Sequence, residues 1–282
     1  MSLSILNNIP ALAAQNALST TQSELQTTLF RLSSGQRINS GADDAAGLAI
    51  ANGLQANVTA LNQSSQNAND GTGQLQVVDG ALSQVTNLLN RAVTLATEAS
   101  NGTVTTTQLT ALDNEFTKIK AEIDNIGSNT DFNGSNVFTA STTSIFLSDS
   151  SNSYSIGITV GALSSSNIQG GSTSGLTAVN LSADNLTTNS NASTALTAIN
   201  NAIQNVASKR GEVGATINQL QSASNVIATQ VQNLTSAEDG IMAADIPSEV
   251  GNLSRLSILN QTGISALAQA NSAQQVVLRL LQ

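Results

Sequence analysis

Leu61, Ala68, Leu75, Leu82, Leu89 and Ala96 follow one another at intervals of seven, and Val78, Val85, Ala92 and Ala99 fall three places further on. No other feature of the chain constrains its fold as tightly. Seven residues make nearly two turns of α-helix, so this spacing lays the side chains along one narrow stripe and predicts a single long helix. The helix is expected to open near Asp43 and to stop near Asn101–Gly102, a pair that favours the left-handed backbone of helix ends.

Such a stripe needs a partner, and the sequence offers two. Leu109, Leu112, Phe116, Ile119, Ile123 and Ile126 alternate steps of three and four. Leu196, Ile199, Ile203, Val206, Arg210, Val213, Ile217, Leu220, Ser224, Ile227, Val231 and Leu234 do the same over a longer run. Each helix alone leaves an apolar face in water, so the expected fold is mainly α: an elongated antiparallel helical bundle or coiled coil.

Between the second and third stripes the pattern changes. Asn133–Gly134 after Phe132 signals a tight hairpin turn. Val137–Phe138 and Ser144–Leu147 are strand-like, and Tyr154, Ile156, Ile158 and Val160 alternate with small polar residues. The run from Ser164 to Leu176 is a Gly/Ser-rich connection. A small β-hairpin appendage followed by a surface loop is expected here.

The two ends share a character. Leu18, Leu25 and Leu32 step by seven, and Leu253, Leu256, Leu267, Val277 and Leu281 share one register, interrupted by Asn260, Gly263 and Gln274. Isolated helices of this kind are marginal in water. Their seams are therefore expected to be buried, either against each other in an assembly or on the chain's own core. The chain is expected to divide into 1–42 (terminal segment and linker), 43–130 (first part of the bundle), 131–189 (hairpin and variable loop), 190–236 (last bundle helix) and 237–282 (terminal helix).

Composition removes whole classes of function. There is no histidine, cysteine or tryptophan among the 282 residues, so thiolate or imidazole metal sites, disulfides and His-dependent triads are impossible. Nine basic against 18 acidic residues give a net charge of −9, which opposes phosphate backbones, so no nucleic-acid partner is expected. Aromatics are 2% of the chain, too few for the usual ligand pocket. No enzyme activity, cofactor or metal is expected. Nothing approaches the ~20 apolar residues of a membrane span, and the opening MSLSILNNIP lacks the basic start of a secretory signal.

The segment from Leu32 to Asp44 must end one helix and begin another. Gly35 and Gly41 supply backbone freedom, and Asn39–Ser40 supply turn-forming side chains. Asp43 and Asp44 suit the positive end of the long helix, which is preferred to a metal-binding or acid–base carboxylate pair. Arg31 and Arg37, rare cations beside this junction, are expected to pair with acids of a neighbouring subunit rather than to be merely solvated. Arg210, on the third stripe, is expected to snorkel rather than to pair. Lys118, Lys120, Glu122 and Asp124 are expected to be solvated helix-face charges.

Residues 32–51, LSSGQRINSGADDAAGLAIA, and 234–282, from LTSAEDGIMAADIPSEV to QQVVLRLLQ, together with the opening MSLSI and the DGALSQV segment at 79–85, closely resemble bacterial flagellin. The likeness covers most of 1–138 and 190–282 and fails at 139–189, so the chain is similar to a short flagellin lacking large outer domains. The resemblance implies terminal helices that pair in a filament core, and a secreted subunit that polymerises head to tail into the extracellular flagellar filament and serves motility. It makes Leu18, Leu25, Leu32, Leu253, Leu256, Leu267, Val277 and Leu281 the polymerisation seam, and Gly35, Arg37, Asn39, Gly41, Asp43 and Asp44 the linker. The implied partners are further copies of the chain, an export chaperone at the C-terminal helix, and the hook–filament junction and cap proteins. Residues 88–98 align with the stretch read by the vertebrate innate flagellin receptor, with Arg91, Leu95 and Glu115 at the contact positions; the family carries further charges where this chain has Val93 and Thr94, and Gln where it has Glu98. A hook–filament junction protein and a non-polymerising coiled-coil module are the competing readings.

Overall fold

A computed structural model describes residues 8–149, 154–171 and 175–280, and side chains as far as Ala273. The elements are α1 (Ile9–Ser34), α2 (Ala45–Ala99), α3 (Thr106–Asn129), β1 (Asp131–Phe132), β2 (Ser135–Asn136), β3 (Thr143–Phe146), β4 (Ser155–Ile158), β5 (Leu163–Ser164), β6 (Asn167–Ile168), α4 (Asn189–Met242) and α5 (Ile246–Leu280). The fold is mainly α with small antiparallel strand pairs, as the stripes imply. Contacts divide it into two units, 57–231 and the joined ends 1–56 with 232–282.

In the unit 57–231 the heptad residues of α2 are the core: Leu75, Val78, Leu82, Val85, Leu89, Ala92 and Ala96 are all buried. Phe116, Ile119 and Ile123 of α3 and Ile199, Val206, Val213 and Leu220 of α4 are buried with them. Helix α4 runs antiparallel to α2, because Ser65 meets Ser224, Asp79 meets Arg210, and Asn189 Nδ2 donates to the Ala99 carbonyl. As one number rises the other falls. Arg210 therefore pairs where snorkelling is expected, its Nε and Nη2 reaching the two Asp79 oxygens at 2.8 and 3.2 Å. The register of the two helices sets a carboxylate opposite it, and a two-pronged guanidinium bond outweighs solvation of a half-exposed cation.

The middle segment holds three two-stranded antiparallel ribbons where one hairpin is expected. Asn133 and Gly134, with φ of 51° and 74°, make the expected tight turn between β1 and β2. Val137 and Phe138 are buried but not in a strand. Asn136 ends the ladder, since its Oδ1 takes the Phe138 amide at 2.7 Å, while its Nδ2 donates to the last carbonyls of α3, Gly127 and Ser128, at 3.0 and 2.8 Å. Strand β3 pairs with β4 in the register Ile145↔Ile156, and the hairpin is held to α2 by Ser64 Oγ on the Ser148 carbonyl and Asn67 on that of Phe146.

Hooks, rather than slack, characterise the segment after β4. Asp124 accepts from the Ser165 amide and hydroxyl, Asp113 from the Leu186 amide, and Asn205 Nδ2 donates to the carbonyls of Ile168 and Thr177. Lys120 Nζ donates to the Asp184 carbonyl at 2.7 Å and sits 4.8 Å above the Phe116 ring. Lys120 and Asp124 are thus anchors where solvated charges are expected, because a segment with only two short strands must place its other backbone polar groups on something. Gly127 is required by close approach: a Cβ there would overlap the carbonyl oxygen of Leu163 in β5.

Candidate assembly surface and linker

The unit formed by the chain ends is built on one helix pair. Helix α1 starts with a cap, Asn8 Oδ1 accepting from the Ala11 amide at 3.0 Å, and stops at Gly35 in the left-handed conformation with φ 71°. It lies antiparallel to α5: Asn8 Nδ2 reaches the Ala270 carbonyl, Leu18 packs at Gly263, and Arg31 faces Glu249. A Cβ at position 263 would come within 3.2 Å of Leu18 Cδ1, so the glycine that interrupts the leucine register is the hole that receives a leucine.

The residues expected as the polymerisation seam are placed along this pair. Leu18, Leu25, Leu32, Leu253 and Leu267 are half-buried and Leu256 is 5% exposed, all on the stripe that the two helices share. The side chain of Val277 and the whole of Leu281 lie outside the described residues. The remaining faces stay apolar. Phe30 is 69%, Ile9 67% and Ile258 62% exposed, and Leu12, Leu29, Ile50, Ile246, Val250, Leu259 and Ile264 are also open. These ten are two thirds of the fifteen large apolar side chains exposed among the described residues. The seven-residue spacing does not include them, although Leu29 follows Leu25 by one helical turn. Leu29–Phe30 and Ile258–Leu259 were the available signal, since two adjacent apolar residues on a helix cannot both face one seam.

The linker brings two helix C-termini and two helix N-termini together. Gln36 pairs with Ala243 as an isolated bridge, with Arg37 N donating to the Met242 carbonyl at 2.7 Å and Ala244 N to that of Gly35 at 3.0 Å. Arg37 Nη2 donates to the Ile241 carbonyl at 2.9 Å, so this cation caps the negative end of α4. Asn39 Nδ2 donates to the Gln36 carbonyl at 3.0 Å, and Gly41 adjoins Ser40 in the turn. Asp44 Oδ1 accepts from the Gly47 amide at 2.8 Å, which makes it the N-terminal cap of α2. Arg31 lies 3.7 Å from Asp43 and 3.6 Å from Glu249, pairs within the chain where a neighbour's acids are expected. The antiparallel turn-back of α5 supplies that acid locally. Both pairs are long, and Arg31 Nε and Glu249 Oε2 are buried with no hydrogen bond.

Asp43 Oδ2 accepts from the Ser40 hydroxyl and from the amides of Ser40 and Asn39 at 2.9 to 3.2 Å. The Ser40 hydroxyl, then the two amides, then Arg31 hold its carboxyl below the ordinary value. A folded value below the unfolded one means that the contribution to stability is complete above the unfolded value and is lost as pH falls through the folded value. The turn 39–43 is expected to loosen on acidification through that window. Amide exchange of Asn39 and Ser40 measures it, and in Asp43→Asn the acid step in their protection should disappear.

Arg91 and Glu115 form a two-pronged pair between α2 and α3 at 2.7 and 3.1 Å, and both are exposed. The bond from Arg91 lowers the Glu115 carboxyl, and that from Glu115 raises the guanidinium. Leu95, 1% exposed, belongs to the core face of α2.

Comparison with known proteins agrees with this geometry. The bacterial flagellin N-terminal helical region matches residues 5–143, and the bacterial flagellin C-terminal helical region matches 196–281. The chain is 34% identical to a flagellin of Halalkalibacterium halodurans over 99% of both chains, and 32% identical to a flagellin of Bacillus subtilis, again over 99% of both. It is also 32% identical to the flagellar filament 33 kDa core protein of Treponema phagedenis over 99% of both. The chain belongs to the bacterial flagellin family. That family is structural and not enzymatic, and no described helix is long and apolar enough to cross a membrane.

Proposed function

We propose that the chain is the structural subunit of an extracellular flagellar filament and that the outward faces of α1 and α5 are what its copies bury in one another. The exposed aliphatic and aromatic side chains of the end unit, against a thin shared stripe, carry this reading. A helix pair with one half-buried seam is marginal alone. Neighbours that cover its outer faces would supply the missing burial, so that ordering and assembly proceed together. Head-to-tail contacts that do not close then extend as a helical filament, the form in which the subunit serves motility. The linker, with Gly35, Arg37, Asn39, Gly41, Asp43 and Asp44, fixes where the chain turns.

The finer assignments rest on the same surface. An export chaperone would cover the apolar face of α5 before secretion, and the absence of cysteine suits a chain exported unfolded, since no disulfide can lock it early. Junction and cap proteins would meet the same helix faces at the two ends of the filament. A contact with the vertebrate innate receptor would use Arg91 and Glu115, which are exposed, with Leu95 shaping α2 from beneath.

Purified protein mixed with sheared filament seeds tests the main reading. Growth of long filaments under the electron microscope, with a sharp threshold in subunit concentration, is the expected result. Soluble oligomers of fixed size that ignore the seeds would overturn it.

A further inference from the structure

The sequence holds three Asn–Gly pairs, at 52–53, 101–102 and 133–134, and the structure treats them differently. Asn amides are among the thermolabile groups of a protein. They are lost when the next residue's amide nitrogen attacks the side-chain carbon, a step that needs a free carboxamide and a main chain able to turn. Asn52–Gly53 lies inside α2, where the helix fixes the backbone. Asn101 is tied on every side: its Oδ1 accepts from Thr103 N at 3.2 Å, its amide donates to Glu98, and its carbonyl accepts from Val104 N and Asn189 Nδ2.

Asn133 has none of these restraints. It is exposed, its carboxamide bonds no described residue, and nothing lies within 4 Å of where a Cβ on Gly134 would stand. The Gly134 amide donates to no backbone carbonyl among the described residues. The turn is flanked by only two residue pairs, Asp131↔Asn136 and Phe132↔Ser135, and so short a ribbon opens readily.

We propose that Asn133 is a self-modification site, converted in the folded protein to aspartate and its β-linked isomer while Asn52 and Asn101 persist. The Gly134 nitrogen loses its proton and bonds to the Asn133 side-chain carbon; the carbon–Nδ2 bond breaks and ammonia leaves with that proton. Solvent water then opens the cyclic imide at either of its two carbon–nitrogen bonds, placing hydroxyl on the carbon and hydrogen on the nitrogen. The products carry one more negative charge, two residues from Asp131. The β-linked form also inserts an extra backbone carbon into a turn that has no slack.

The effect reaches beyond the turn, because Asn136, which caps the end of α3 through Gly127 and Ser128, is held in place by this ribbon. Conversion is one-way and independent in each subunit. The converted fraction therefore records how long a subunit has existed.

Incubating the full-length folded protein in mildly alkaline buffer, with peptide mass spectrometry at intervals, tests the proposal. Peptides spanning position 133 should gain the mass of amide-to-acid conversion at least an order of magnitude faster than those spanning 52 and 101. In denaturant the three should converge, since structure and not sequence selects the site. Gly134→Ala should slow conversion strongly, and amide exchange at Val137 should rise with the converted fraction. An unchanged Asn133 in folded protein, or conversion at Asn101 as fast as at Asn133, would overturn the proposal.

Discussion

Leu259→Asp is expected to stop filament growth while leaving the main unfolding transition of the monomer where it is. Leu259 stands on α5 outside the stripe of Leu253, Leu256, Gly263 and Leu267, and its side chain is open. In the free subunit an aspartate there stays in water and costs almost nothing. Covered by a neighbour, a leucine contributes roughly 1.5–3 kcal/mol, and a carboxylate in its place opposes burial by a further few kcal/mol. A combined loss of about 4 kcal/mol raises the concentration needed for growth about a thousandfold. The contrast is Leu256→Asp, which puts the charge into the α1–α5 stripe and should also loosen that pair. Thermal unfolding and seeded growth, measured on both variants, separate the two roles. Filaments of normal length from Leu259→Asp would place the subunit contact elsewhere, and a melting temperature lowered as far as by Leu82→Ala would make this face part of the monomer's core.

Phe116→Ala should be the most damaging single truncation in the unit 57–231. The ring is fully buried, and it is one of only six aromatic side chains in the chain. Removing a buried phenylalanine typically costs 3–5 kcal/mol, which includes the cavity left behind. Here a second loss follows from the first. Lys120 sits over the ring and donates to the carbonyls of Asp184 and Ser182, so without the ring its ammonium loses the surface that aims it. Thermal melting should fall on the order of 10 °C in a unit of this size. Amide exchange should rise at Asp184 and Leu186 as well as in α3. A fall confined to about 2 °C would mean that the site collapses around the gap and that the lysine holds the loop by itself.

The helices were legible because a seven-residue repeat has one physical interpretation at this length. Its ten members are all buried in α2, and the stripes of α3 and α4 lie where their spacing puts them. The tight turn at Asn133–Gly134 was legible for the same kind of reason, a residue pair that tolerates positive φ. The hooks of the middle segment were not. Asp113, Lys120, Asp124 and Asn205 carry no local pattern, since their partners lie 28 to 73 residues away and, the Ser165 hydroxyl apart, are backbone atoms. A charge on a helix face looks solvated until the segment that lands on it is known. Arg31 and Arg210 were misread similarly, because an acid from the antiparallel helix is invisible to any window along one helix. The terminal leucines were visible as a stripe, but a stripe does not say which partner covers it. The adjacent pairs Leu29–Phe30 and Ile258–Leu259 carried the information that one partner was not enough.

The hooks that fasten the segment after β4 also divide it. Ser165, Ile168, Thr177, Ser182, Asp184 and Leu186 are moorings, each tied by a helix side chain. Lengthening the chain between two moorings costs little in closure entropy, which grows only with the logarithm of length, about 0.6 kcal/mol per doubling. Displacing a mooring instead strands a buried donor or acceptor. Foreign sequence spliced between Ile168 and Thr177 would thus ride on the subunit without disturbing its bundle, as both flanking carbonyls stay on the single amide of Asn205. A subunit built this way can change what it displays without relearning how to fold.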